Sequence, residues 1–300
     1  MGARARRQLC LVALAAAATA AVTAGCGGTT SSTPAGTSTS AASCAKSQLT
    51  LVKPGQLTVG TDNPAYPPWY AGGTKSSFWK LNDPSNGKGF EPAVAYAVAK
   101  QLGFARSEVK WTYVPFNRSF APGKKSFDFD INQISYTPAR AKVVTFSTSY
   151  YDVNQAIVVL DGTKIASVHT IAGLRPFKLG AQLGTTSYSF ITSTIKPSKQ
   201  PSVFPQNAGA VQALKNKQID GLVVDLPTAF YVTGAQVPHS KVLGQFTGGG
   251  GAGYFGMVFA KGDPLAACVD KALAKLRANG TLKQIQQKWL AKATGAPILR

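Results

Sequence analysis

The sequence predicts an α/β protein that folds as two lobes. Short β-branched segments alternate with amphipathic helical segments along the chain, which is the pattern of an α/β fold. From about Lys178 the pattern begins again with the strand KLGAQL, which indicates a second lobe. Three hundred residues, 44% of them hydrophobic, are enough for two lobes with real cores.

Residues 1–25 are expected to be a signal peptide. They combine three arginines, a short alanine- and leucine-rich run and small residues before a possible cleavage point. These small residues end on Cys26 and resemble a bacterial lipobox, with Thr23 where an aliphatic residue is usual. We expect Cys26 to be lipidated, and ordinary secretion is the alternative. Residues 26–48 are rich in Gly, Ser and Thr, which is typical of a flexible tether.

The elements of the first lobe follow in order. A helix is predicted to begin at Glu91-Pro92 and to end at Gly103. Proline is favourable in the first turn of a helix, because its missing N–H would have no partner within the helix there. Apolar residues between these ends recur at helical spacing. The predicted strands of this part of the chain are Gln56–Gly60, Val109–Val114, Phe127–Ile131 and Val153–Leu160.

The second half continues the alternation. Gly184-Thr185-Thr186 opens a helix, another covers roughly Ala208–Lys217, and the buried strand Ile219–Val224 ends at Asp225. A last strand, GMVFA, precedes a helix capped by Asp263-Pro264 that stops at Asn279-Gly280. Thr281 with Gln284 predicts a capping box for a final helix.

Charge and cysteine content limit the function classes. The formal net charge is +20, and the lysines are scattered along the chain instead of forming one basic stripe. Together with the export signal, this distribution favours an anionic membrane or cell-wall surface over nucleic acid as the partner of the positive charge. Cys10 leaves with the signal, which leaves Cys44 and Cys268 beside the lipid-bearing Cys26. In an oxidising compartment these two predict an intramolecular disulfide, and two free buried thiols are the alternative.

Catalytic and metal-binding patterns are weak in this sequence. The segment 251–256 matches G-x-G-x-x-G but leads into a strand instead of opening a helix, so a dinucleotide site is not expected. His169 and His239 have no neighbours at ligand spacing, and no nucleophile pattern occurs. We expect no enzyme activity, no metal and no cofactor.

Six segments in order resemble one family. GTDNPAYPPW, GKGFEPAVAYAVAKQLG, ISYTPARAKVVTFSTSYY, LGTTSYSFI, QIDGLVVDLPTA and KGDPLAACVDKALAKLRANGTLKQIQQKWL are similar to the polar amino-acid binding proteins of ABC importers, solute-binding family 3. The resemblance implies a type II periplasmic-binding-protein-like fold whose lobes are joined by two crossing hinge strands. Lobe one would comprise residues 49–151 plus 253–293, and lobe two residues 152–252.

The resemblance also implies which residues hold the amino-acid headgroup. The arginine of the family's T-x-x-R turn binds the carboxylate, and that position here is Arg140; an ordinary surface cation is the alternative interpretation. Ser135 would contact the same headgroup. Thr185 and Thr186 would offer backbone N–H groups and a hydroxyl at a helix start. Asp225 would accept the ammonium from the opposite lobe.

A further set of residues is expected to form the side-chain pocket. Tyr66, Trp69 and Phe116 correspond to family positions that sandwich the ligand side chain, although aromatic-rich turns also simply pack. Asp62 beside them favours a cationic side chain. Gln133 stands where relatives usually have glycine, and its amide is expected to reach the ligand or fill the cleft.

The expected function is that of a monomeric lipoprotein at the outer face of the cytoplasmic membrane. It would bind a polar amino acid and deliver it to an ABC permease and its ATPase. One alternative is a prephenate- or arogenate-type dehydratase on the same fold, which needs a general acid in the cleft. Asp62 and Asp225 are the acids placed there, and binding already explains both. A sensor subunit with identical site residues is the other alternative.

Overall fold

The computed structural model describes residues 43–248, 250, 252–291 and 295–300, all within one unit that spans residues 42–300. The predicted signal peptide and the lipidation residue Cys26 lie outside the described residues. None of the described helices has the length and hydropathy required to cross a membrane.

The described chain contains eleven strands and eight α-helices, with short 3-10 and π-helical turns between them. The strands are β1 (Leu57–Thr61), β2 (Val109–Tyr113), β3 (Phe129–Asp130), β4 (Thr145–Phe146), β5 (Tyr151–Leu160), β6 (Leu179–Gln182), β7 (Ser202–Phe204), β8 (Gly221–Asp225), β9 (Ser240–Phe246), β10 (Ala252–Phe255) and β11 (Val258–Phe259). The helices are α1 (Phe90–Gln101), α2 (Phe116–Ser119), α3 (Pro138–Ala141), α4 (Thr186–Phe190), α5 (Asn207–Lys215), α6 (Leu226–Tyr231), α7 (Leu265–Ala278) and α8 (Thr281–Leu290).

Sheet one has the strand order β2-β1-β3-β11-β4, in which β1 is parallel to β2 and β3 while β11 is antiparallel to its neighbours. Helices α1, α7 and α8 contribute to its core. In α1 the apolar residues Val94, Ala95, Val98 and Ala99 are all buried, as their helical spacing predicts. Lobe one is therefore built from β1 to β4 and α1, which precede β5 along the chain, and from β11, α7 and α8, which follow β10.

Sheet two has the order β10-β5-β8-β6-β7. Strand β9 also pairs with β5, along the edge opposite to β8. Strands β6 and β8 are parallel, and cores form on both faces of the sheet. Parallel strands with both faces covered are apolar throughout, which explains the continuous run GLVV in β8. Sheet two is the framework of lobe two.

Strands β5 and β10 connect the two lobes. Residues 151–154 of β5 pair with β10, and from Gln155 onward β5 pairs with β8 and β9 of sheet two. The two strands run antiparallel, so the chain passes between the lobes once in each direction. The predicted two-lobed α/β fold with two crossing strands is confirmed.

A disulfide joins Cys44 to Cys268, as the cysteine count predicts. Cys268 lies in α7, so the bond attaches the end of the predicted tether segment to lobe one. Lys46 adds an ion pair with Glu108 at 2.6 Å and lies 5.0 Å from the centre of the Phe104 ring. The last residues before the fold are thus held against lobe one at two points.

The final residues of the chain contact lobe two, although α8 before them packs in the core of lobe one. Gln245 of β9 donates its backbone N–H to Pro297 at 2.7 Å and accepts one from Leu299 at 3.0 Å. Leu299 is 4% exposed and joins a core of sheet two. A side chain at Gly244 would meet Leu299 at 2.6 Å, so glycine is needed there. No role was predicted for this segment from the sequence.

Some predicted elements differ from the structure. The segment Phe127–Ile131 contributes only the two-residue strand β3. The capping box at Thr281 and Gln284 is not formed, because α8 begins at Thr281 itself and the left-handed Gly280 precedes it. Instead, the Asn279 side chain accepts the Thr281 N–H at 3.0 Å. The exact lobe boundaries, 49–151 plus 253–293 and 152–252, stay predictions.

Candidate functional site

A cavity of about 110 Å³ is lined by residues of both lobes. All ten predicted ligand-binding residues line it: Asp62, Tyr66, Trp69, Phe116, Gln133, Ser135, Arg140, Thr185, Thr186 and Asp225. They come from loops, helix starts and strand ends that are far apart in sequence. The fold therefore brings together residues that the sequence analysis selected one motif at a time.

Arg140 enters the cavity from the single-turn helix α3. This turn is defined by Thr137, whose hydroxyl accepts the Arg140 N–H at 3.1 Å, and by Pro138 at its first position. Arg140 is only 9% exposed. Burial lowers its pKa to about 10, and the nearby Asp225 opposes that shift. The guanidinium therefore remains charged at neutral pH.

The Arg140 guanidinium is held in one orientation by neutral groups. It donates to the backbone carbonyl of Ser135 at 2.6 Å and to that of Gly184 at 2.7 Å. The Phe120 ring lies 4.0 Å from the guanidinium carbon, which is a cation–π contact. A guanidinium has five N–H donors, so these two carbonyls leave donors for a further acceptor.

Asp225 faces the cavity from lobe two, where β8 ends and α6 begins. Its carboxylate accepts a hydrogen bond of 2.6 Å from Gln155 Nε2. Burial raises the pKa of Asp225 to about 7, while the Gln155 hydrogen bond and the Arg140 charge act in the opposite direction. An added cation next to this carboxyl would lower its pKa, because an opposite charge stabilises the ionised form.

Arg140 and Asp225 do not pair with each other. Among the described residues, the ion pair within 4.0 Å is that of Lys46 and Glu108. The buried Arg140 and the half-buried Asp225 thus line one cavity from opposite lobes without an ion pair between them. Such an arrangement suits a ligand that carries both charges.

Ser135, Thr185 and Thr186 form the polar wall between these charges. The Ser135 and Thr186 hydroxyl oxygens lie 3.1 Å apart across the two lobes. The Thr185 hydroxyl caps α4 by accepting the Tyr188 N–H at 3.1 Å. The first backbone N–H groups of a helix lack carbonyl partners within the helix, so the start of α4 adds donors to this wall.

Asp62 and the aromatic residues Tyr66 and Phe116 line another part of the cavity. Burial raises the pKa of Asp62, and the backbone N–H of Asn63 at 2.8 Å partly offsets this. Burial is likewise the main cause of the raised pKa of Tyr66, to which Tyr231 and Asp62 add. Phe116 packs edge-on against Phe120 at 5.3 Å. Acceptor and ring faces together suit a cationic or polar group.

Trp69 lies deeper than the other predicted aromatic residues. It is 1% exposed, and its ring packs edge-on against Phe90, Tyr151 and Phe255. Its indole N–H donates to the Thr228 hydroxyl at 3.0 Å. Trp69 therefore joins the aromatic core of lobe one to helix α6 of lobe two and offers little free surface.

Gln133 is turned toward a buried acid. It has the left-handed φ of 48°, which is rare for residues other than glycine. Its backbone N–H donates to Glu91 at 2.7 Å, and its side-chain amide donates to the same carboxyl group. Burial raises the pKa of Glu91 to about 7, although hydrogen bonds from Tyr150 and Gln133 oppose this. Of the two expectations for the amide, reaching the ligand or filling the cleft, its bond to Glu91 favours the second.

Several residues of the site were not predicted from the sequence. Gln155, Ser187 and Thr228 all line the cavity or hold residues that do. Gln155 was detectable as a polar residue at the start of the apolar run AIVVL. Ser187 and Thr228 had no signal beyond their positions after the predicted helix start and after Asp225.

Three comparisons with known proteins bear on this site. The model of the bacterial extracellular solute-binding proteins, family 3, matches residues 57–292. The ABC transporter arginine-binding protein 1 of Escherichia coli (strain K12) is 30% identical over 207 residues, 67% of this chain and 81% of that protein.

Two solved structures are also similar. An ancestral arginine-binding protein bound to glutamine has a TM-score of 0.65 and 30% identity, covering 79% of this chain and 98% of that one. An ancestral amino acid-binding protein, a precursor of cyclohexadienyl dehydratase, has a TM-score of 0.63 and 29% identity over 78% of this chain and 95% of that one.

Proposed function

We propose a function for this chain, which belongs to the bacterial extracellular solute-binding proteins of family 3. The protein binds, between its two lobes, a polar α-amino acid that has a cationic side chain. It then delivers the amino acid to an ABC permease and the ATPase of that permease. The observation that carries the proposal is the unpaired arrangement of Arg140 and Asp225 across one cavity.

The headgroup chemistry follows from the two charges. A planar guanidinium binds a carboxylate through parallel N–H bonds, and these charge-assisted bonds are stronger than bonds to a neutral carbonyl. Arg140, already oriented by Ser135 and Gly184, takes the α-carboxylate. Asp225 takes the α-ammonium. Because the two residues belong to different lobes, one ligand stabilises the closed arrangement of both.

The side-chain preference rests on Asp62. It is the second carboxyl group of the cavity lining, and Tyr66 and Phe116 line the same cavity. A guanidinium or ammonium group near Asp62 would lower the raised pKa of that carboxyl and gain contact with the ring faces. The arginine-binding relative supports a cationic ligand, and we propose L-arginine as the first probe.

The location completes the proposal. Residues 1–25 direct export, and Cys26 carries a lipid. The part of the predicted tether before the disulfide-bonded Cys44 lets the folded part reach its permease from the outer face of the cytoplasmic membrane. The protein acts as a monomer and without catalysis. The dehydratase alternative would need a general acid, and the carboxyl groups lining the cavity, Asp62 and Asp225, are assigned to binding.

A thermal-shift panel tests this function. The chain beginning at Gly27 is heated with each of the twenty amino acids, ornithine, citrulline and small betaines. Ligands that bind the folded state raise the melting temperature by mass action. We expect the largest shift with L-arginine or another cationic amino acid. Shifts with other carboxylates but with no α-amino acid, or turnover of a cyclohexadienyl acid, would refute the proposal.

A further inference from the structure

Gln155 lies where the crossing strand β5 enters lobe two. It is the first β5 residue that pairs with β8 and β9, and it lies directly opposite Asp225 of β8. It is 2% exposed, so its amide must find partners within the protein. Its hydrogen bonds to neighbouring side chains therefore define its orientation.

The two ends of the Gln155 amide bind different groups. Its Nε2 donates to Asp225 Oδ1 at 2.6 Å, and its Oε1 accepts a hydrogen bond from the Ser187 hydroxyl. Because an ionised carboxylate can only accept, the nitrogen end is directed to Asp225, and the Ser187 hydroxyl then donates to the oxygen end. The same Nε2 lies 3.5 Å from the Thr186 hydroxyl.

We propose that Gln155 is a positioning residue for ligand binding: it fixes the orientation of the Asp225 carboxylate and couples it to the start of α4. The inference rests on the proposed function, because Asp225 is there the acceptor of the ligand ammonium. Gln155 itself touches Asp225, not the bound ammonium. Its position on the crossing strand places this coupling at the junction of the lobes.

The electrostatics around Asp225 support this role. The charged or titratable groups that act on it are Arg140 from α3 and Tyr151, whose pKa is raised to about 12 chiefly by burial and then by Asp225. The Gln155 donor stabilises the ionised carboxylate against a burial effect that raises its pKa to about 7. Loss of the donor raises that pKa further, so more of the carboxyl is protonated at neutral pH.

The test is a calorimetric titration with L-arginine between pH 6 and pH 8.5. Wild type is compared with Gln155→Leu and with Gln212→Leu, a control that removes an exposed glutamine of α5. We expect Gln155→Leu to bind about 10- to 100-fold more weakly at pH 7, the range for a hydrogen bond to a charged group. The loss should shrink as pH rises, and the control should match wild type.

Several outcomes would overturn the inference. An unchanged affinity of Gln155→Leu for L-arginine would overturn it. An affinity that falls by the same factor at every pH would also overturn it, because that result indicates a merely structural role. If that variant does not fold, Ser187→Ala, which frees the amide to rotate, must shift the pH dependence in the same direction.

A second readout separates this inference from the proposed function. The Asp225 carboxyl is titrated by carbon-13 NMR in the ligand-free protein, with and without Gln155→Leu. The inference predicts a higher carboxyl pKa in the variant even if L-arginine does not bind wild type. An equal pKa in both proteins would refute the inference while leaving the proposed function intact.

Discussion

Arg140 of α3 donates a 2.7 Å hydrogen bond to the backbone carbonyl of Gly184, which belongs to the other lobe. The bond connects the lobes next to the cavity and holds the guanidinium ready for an acceptor. A carboxylate is a stronger partner than this neutral carbonyl. The carboxylate of the proposed ligand would therefore add a stronger bond to Arg140 at a place where the two lobes are already in contact.

Replacement of Arg140 should abolish most ligand binding. Arg140→Ala removes the only arginine lining the described cavity, and a charge-assisted bond contributes about 1.5–3 kcal/mol. We expect at least about a tenfold weaker affinity for L-arginine in calorimetry. Arg118→Ala removes an exposed arginine of α2 and serves as the control. Equal affinities in wild type and Arg140→Ala would refute the carboxylate assignment.

Asp62 should decide the preference for a cationic side chain. Asp62→Asn removes the negative charge with little change of shape, so affinity for L-arginine should fall about tenfold, or roughly 1.4 kcal/mol. Affinity for L-glutamine should change little, because its side chain is neutral. Asp161→Asn, at an exposed turn, is the control. A parallel loss for both amino acids would contradict a charge-specific role for Asp62.

The C-terminal segment should stabilise lobe two. Leu299 is 4% exposed, whereas its neighbour Ile298 is 46% exposed. Leu299→Ala should lower the free energy of unfolding by about 2 kcal/mol, the low end for buried leucine. Ile298→Ala is the matched control and should cost less than about 0.5 kcal/mol. Urea unfolding measures both, and similar losses would show that Leu299 is not packed as described.

Glu91 should make stability depend on pH. Its pKa in the folded protein is about 7, above its ordinary value of 4.5, because burial disfavours the charge. Its protonation therefore favours the fold at low pH, and this contribution is lost as pH rises through about 7. Wild type should lose more stability than Glu91→Gln between pH 5 and pH 8, as measured by urea unfolding.

Glu108→Gln is the matched control for this prediction. The Lys46 hydrogen bond lowers the pKa of Glu108, so that carboxyl does not titrate between pH 5 and pH 8. The control should therefore keep the pH slope of wild type. A Glu91→Gln variant with an unchanged slope would show that Glu91 is ionised in the fold throughout this range.

The sequence was sufficient for the class of the fold and for ten residues that line the cavity, but not for Ser187 and Thr228. Helical spacing predicted α1, and the cysteine count predicted the disulfide of Cys44 with Cys268. The ten site residues could be selected because six segments in order resemble one family, and the resemblance implied their positions. Their roles in binding stay predictions.

Contacts between distant segments were beyond sequence reasoning. Gln155 holds Asp225 across 70 positions of the chain, and Gln133 holds Glu91 across 42. Neither pair has a local pattern, because strand pairing and the left-handed φ of Gln133 create the contact. The packing of Leu299 on sheet two was missed for the same reason: nothing in the six terminal residues indicates a partner strand.

The most direct test of the central claim is a calorimetric titration of the chain beginning at Gly27 with L-arginine and with agmatine, which lacks the α-carboxylate. Two charge-assisted contacts and burial of the side chain predict micromolar affinity for L-arginine, about −8 kcal/mol. Agmatine should bind far more weakly, because Arg140 then has no carboxylate to bind. Equal affinities for L-arginine and agmatine would contradict the account. A folded protein that binds neither compound and no other α-amino acid would also contradict it.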